Sequence, residues 1–87
     1  MDITEVRVYP RNGNDGGLKA FASITLDGTF AVKDLKVIEG EKGLFVAMPA
    51  RKLPNGRYLD VAHAITKEFS ARIQAEVLEA YHRRAAS

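Results

Sequence analysis

The chain reads as an α+β domain: a small antiparallel β-sheet of about four to five strands over residues 3–62, with one long C-terminal helix over about 66–84. Three observations predict it. Apolar and polar residues alternate through the first half of the chain, and glycine-bearing turns separate the alternating runs. In the last quarter Phe69, Ile73, Val77 and Tyr81 recur every four residues, the period of one helix face.

Taken in order, Ile3 to Tyr9 sets Thr4, Val6 and Val8 against Ile3, Glu5 and Arg7, a strand that Pro10 is expected to end because proline has no N–H to donate. The stretch "RNGNDGG", 11–17, then reads as a turn. It lacks the Gly-Lys-Ser/Thr ending of a phosphate loop. In "LKAFASITL", 18–26, Leu18, Ala20, Ala22, Ile24 and Leu26 share one face, and Asp27-Gly28 is a tight-turn pair. In "TFAVKDLKVIEG" the apolar parity switches from Phe30 and Val32 to Leu35 and Val37, which predicts a bulge or bend around Lys33-Asp34. Gly40 and Gly43 bracket the next turn, and Leu44 to Met48 is apolar on both faces. A short strand within Tyr58 to Ile65 follows, and Thr66 is placed to cap the helix. Acid-first pairs Glu68–Arg72 and Glu79–Arg83, with Arg72–Glu76, neutralise the helix surface.

One helix covers only one face of such a sheet. Phe21, Phe45 and Ala47, with Leu35 and Val37 as further candidates, fall on the other parity. A second copy is the simplest cover for them, so a homodimer is expected. At 87 residues the chain is one domain, 1–87, of a size whose monomer is marginally stable.

The 46% hydrophobic and 28% charged composition is that of a folding domain, and the net charge of +2 is too small to argue for an anionic partner by itself. With no cysteine, disulfides, thiolate zinc sites and cysteine nucleophiles are excluded. The opening residues lack the pattern of a secretion signal and no apolar run is long enough for a membrane span, so a cytoplasmic location is expected.

Charge clusters in one place. Between Pro49 and Asp60 lie Arg51, Lys52 and Arg57 beside Tyr58, with no intervening acid. Arginine forks, a lysine point charge and an aromatic face suit contact with phosphates and bases, whereas a merely soluble loop is the plainer reading. Catalysis has little to build on. Asp60-x-x-His63 lacks a neighbouring nucleophile, and Glu79-x-x-His82 is half of a metal motif that needs a helix bundle to complete it. No enzyme activity, cofactor, metal or small-molecule substrate is expected. A non-catalytic adaptor, acting through a sheet edge or the same loop, is the alternative to nucleic-acid binding.

The residues "ASITLD", "GLFVAMP" and "RKLPNGRYLDVAHAI", continuing through "IQAEVLEAYHR", closely resemble the stage V sporulation protein G family, also called the septation regulator family, over essentially the whole chain. The resemblance implies a small, dimeric, bacterial cytoplasmic regulator with an antiparallel sheet and a C-terminal helix. Such proteins bind DNA and often RNA and modulate genes linked to septation, sporulation or virulence. It places the family's basic nucleic-acid-contacting segment on Arg51 and Lys52, with Arg57 following. Tyr58 is a stacking candidate, and Arg72 a secondary one ahead of Arg83 and Arg84. Ala50 and Leu53 stand where the family usually has hydroxyl residues, and "HRRAAS" stands where members often continue into an acidic tail.

Overall fold

A computed structural model describes residues 1–86. Four strands, β1 (Ile3–Asp15), β2 (Leu18–Leu26), β3 (Phe30–Gly40) and β4 (Gly43–Ala47), form one antiparallel sheet in the order β1-β2-β3-β4. Two short strands, β5 (Ala50–Lys52) and β6 (Tyr58–Asp60), pair only with each other. The helix α1 (Lys67–Ala86) closes the chain.

The first strand runs past Pro10, which pairs with Ala20, and the chain turns at Gly16-Gly17. A proline is tolerated there because β1 is an edge strand with no neighbour on its outer side. Gly17 has a physical reason to be glycine: its φ is +90°, and a Cβ would lie 2.7 Å from the Glu39 carbonyl oxygen. Its own carbonyl accepts from the Glu39 amide (2.8 Å), tying the turn to β3.

The β2–β3 turn carries positive φ at both Asp27 (52°) and Gly28 (65°), the twist that suits a tight hairpin. The N-terminus locks it. The Asp2 amide donates to the Asp27 carboxylate (2.7 Å), the Asp27 amide donates to the Asp2 carbonyl (2.8 Å), and the Gly28 amide donates to the Thr4 hydroxyl (2.9 Å).

The parity switch in β3 is a bulge. Ala22 pairs with Leu35 and Ile24 with Val32, so Ser23 faces the two residues Lys33 and Asp34, and Asp34 takes φ 66°. This reverses one sequence-based expectation. Leu35 and Val37 lie on the helix side of the sheet and are fully buried, because the extra residue turns them back toward the core.

That core is Val8, Ala20, Ala22, Ile24, Leu35, Val37 and Val46 of the sheet against Ile73 and Val77 of α1, with Phe69 and Tyr81 packed at its margins. Among the described residues no polar side chain is buried within it. The helix starts where Thr66 caps it, its hydroxyl accepting from the Phe69 amide (3.2 Å). Arg72 pairs with Glu76 (3.6 Å) and Asp2 (3.9 Å), while Glu68, its expected partner, forms no ion pair among the described residues.

The free edge of β4 is partly closed by a side chain. In an antiparallel ladder alternate residues of an edge strand point N–H and C=O outward, and Val46 is one of these. The Gln74 amide answers both groups: its oxygen accepts from the Val46 amide (2.8 Å) and its nitrogen donates to the Val46 carbonyl (2.7 Å). This fastens α1 to the sheet and blunts an edge that would otherwise invite strand addition.

Candidate nucleic-acid interface

The expected basic loop is a two-stranded arm. Ala50 faces Asp60, Arg51 faces Leu59 and Lys52 faces Tyr58, and the Leu53 amide donates to the Arg57 carbonyl (2.7 Å), extending the pairing by one more residue. The tip is Pro54-Asn55-Gly56: the Gly56 amide bonds the Leu53 carbonyl (3.0 Å), and Gly56 takes φ 85°, a three-residue hairpin loop ending in a left-handed glycine. The Asn55 side chain accepts from the Arg57 amide (3.0 Å) and stiffens it. At the base, the Val61 amide donates to the Pro49 carbonyl (2.8 Å).

Alternation along a ribbon sorts the four residues onto two faces. Lys52 and Tyr58 share one with Ala50 and Asp60; Arg51 and Arg57 share the other with Leu53 and Leu59. The Tyr58 face borders a cleft of about 670 Å³, walled by Lys36 and Ala47 of the sheet and Ser70 and Gln74 of α1. All six strand residues of the arm are exposed, Tyr58 by 69%. Among the described residues Arg51, Lys52 and Arg57 form no ion pair.

The structure thus brings Arg51, Lys52, Arg57 and Tyr58 together and sets Arg72 apart. Arg72 lies on α1, where it donates to the Met1 carbonyl (3.1 Å), pairs with two acids and stacks its guanidinium over Phe69 at 5.4 Å. Arg83 is engaged by Glu79.

Two cations escaped notice in the sequence. Lys33 and Lys36, on either side of the Asp34 bulge, face away from the core and line a cavity of about 660 Å³ with Phe21 of β2 and with Pro49, Ala50 and Val61 at the arm's base. A strand position next to a bulge has no readable face until the pairing is known. Their neighbours are better neutralised: Lys19 pairs with Glu39 (3.4 Å), and Arg7 with Glu5 (3.3 Å). The pKa of Arg7 is raised, first by its hydrogen bond to Glu5, then by the charge of Glu5, and after these by Tyr9.

The titratable residues considered for catalysis do not assemble. His63 has its Nδ1 3.2 Å from the Ala64 carbonyl, and the His82 ring meets the edge of Tyr81 at 5.7 Å. Among the described residues no three His, Cys, Asp or Glu side chains group as a metal site would need, and no helix is long and apolar enough to cross a membrane.

The SpoVG family model matches residues 1–83. A protein of Desulforudis audaxviator is 52% identical over all of this chain and 98% of its own length. One of Archaeoglobus fulgidus is 50% identical over 92% of this chain and 93% of its own length. One of Lachnoclostridium phytofermentans is 54% identical over 93% of this chain and 86% of its own length. Each of the three is named "Putative septation protein SpoVG". With the family's sequence pattern matched along nearly its whole length, this chain belongs to the SpoVG family.

Proposed function

We propose that the protein is a non-enzymatic, nucleic-acid-binding regulator acting in the cytoplasm, and that the arm Ala50–Asp60 is its contact with DNA or RNA. The observation that carries this reading is the set of three cations, unpaired among the described residues, on an exposed ribbon beside Tyr58. Nucleic acid supplies what that arm lacks: a row of phosphates for Arg51, Lys52 and Arg57, and base faces for Tyr58. Relatives carry the name "Putative septation protein SpoVG", and on this proposal the genes regulated are those of septation.

A second copy of the chain completes the proposal. A two-stranded ribbon with three-residue strands is marginal alone, and this one packs against neither the sheet nor the helix. Beside it the largely apolar strip 61–65 holds Val61 (68% exposed) and Ile65 (90% exposed) open. A homodimer sealed along that strip would hold two arms in place. The same strip favours the adaptor reading, in which a foreign protein takes the place of the second copy.

The test is fluorescence anisotropy with a labelled duplex, comparing the native chain with the double variant Arg51→Ala, Lys52→Ala. The expected result is a large loss of affinity with unchanged far-UV circular dichroism. Unchanged affinity in a folded double variant would remove the arm from the interface.

A further inference from the structure

We infer that the outer face of the four-stranded sheet is a stacking platform for unpaired bases, so that the preferred ligand is single-stranded nucleic acid; this rests on the nucleic-acid reading of the arm. The register is the first observation. Tyr9, Phe21, Lys36 and Ala47 are direct partners across all four strands, and they lie in one row on the face away from α1. Their flanking residues Val8, Ala20, Ala22, Leu35, Val37 and Val46 all point into the core, which fixes the direction of the row. Tyr9 is 52% exposed and Phe45, on the same face, 44%. Phe21, between them in the row, is half-buried beside the base of the arm.

The second observation is continuity. Lys36 lines both the cleft that holds Tyr58 and the cavity that holds Phe21, so one lysine borders both the aromatic row and the arm. The third is charge. Lys33 and Lys36 flank this path without an ion pair among the described residues, and the Arg11 guanidinium lies over the Phe21 ring at 5.5 Å. The acids lining the two cavities, Asp34 and Asp60, are matched in number by Lys33 and Lys36, and the arm adds Arg51 and Lys52.

Aromatic side chains standing between cations fit a flexible strand whose bases can splay out. A duplex keeps its base faces stacked inside, so it gives the aromatic row no ring to stack on and is held through the cations. A protein partner would also fit an apolar face, but an aromatic row bordered by unpaired lysines has the composition that a polyanion with exposed rings requires.

The experiment measures anisotropy of a fluorescein-labelled oligothymidylate, an abasic strand of equal length and a blunt duplex, with native protein and with Phe21→Leu, Tyr9→Ala and Arg51→Ala/Lys52→Ala variants. Phe21→Leu keeps the apolar bulk and guards against misfolding. Each aromatic replacement is expected to weaken oligothymidylate binding about 5- to 100-fold and leave the duplex and abasic strand unchanged, whereas the arm variant weakens all three. Aromatic variants that bind oligothymidylate like the native protein would overturn the platform while leaving the arm in place. A fall in sedimenting mass for Phe21→Leu would also overturn it, by making the face a protein seam. Binding of neither strand nor duplex by the native chain would overturn the arm and the platform together.

Discussion

Arg51 and Lys52 are adjacent in sequence but sit on opposite faces of the arm, so they cannot serve one phosphate jointly. Arg57 joins Arg51, and Tyr58 joins Lys52. Single substitutions should therefore act separately: Arg51→Ala, Lys52→Ala and Arg57→Ala each remove one contact from both arms of the dimer and are expected to reduce the dependence of log K on log salt by about two. Arg72→Ala should leave that slope unchanged, since its charge is already held by Asp2 and Glu76. Salt titrations of the four variants check both statements, and an Arg72→Ala effect as large as that of Arg51→Ala would move the interface onto α1. Gln74 presents a different kind of single-residue dependence. Replacing it with alanine removes both partners of the Val46 backbone, at a cost of about 1–3 kcal/mol for each group left unanswered. Urea denaturation measures that loss, and hydrogen exchange should show the Val46 amide deprotected.

The elements show how far a sequence of this kind can be read. β2 was legible to the residue because its alternation is unbroken and glycines flank it, and α1 was legible because Thr66 marks its start and Ile73 and Val77 repeat at the helical period. The bulge at Lys33-Asp34 was legible as a change of parity, yet the face that Leu35 and Val37 take depends on pairing with Ala20 and Ala22, which is information held in another strand. The arm was legible as chemistry and not as structure. Three-residue strands leave almost no alternation to read, so the pairing of Lys52 with Tyr58 and the sorting of cations between faces emerged only from the fold. Gln74 was not legible at all, because a glutamine on a helix carries no sign that it will close a strand edge. The bulge has a direct test. Leu35→Ala should cost about 2–5 kcal/mol in urea unfolding if the side chain is core, and well under that if it lies on the open face.

At the scale of the whole molecule, one helix on one sheet leaves the opposite face uncovered, and a marginal ribbon stands apart from the body. The second copy we propose would seal Val61 and Ile65, leave Tyr9 open, and set two arms on one particle. Sedimentation velocity at micromolar concentration should then give a mass about twice the 9.6 kDa of the chain, and Val61→Glu should shift it to the monomer. The most direct measurement for the basic arm is the salt dependence of binding. If two arms engage all their cations, the affinity for duplex, followed by anisotropy across a range of salt concentrations, should fall with a log–log slope of about −5. A complex indifferent to salt, or no complex at low salt, would contradict the assignment of Arg51, Lys52 and Arg57 to phosphate contact.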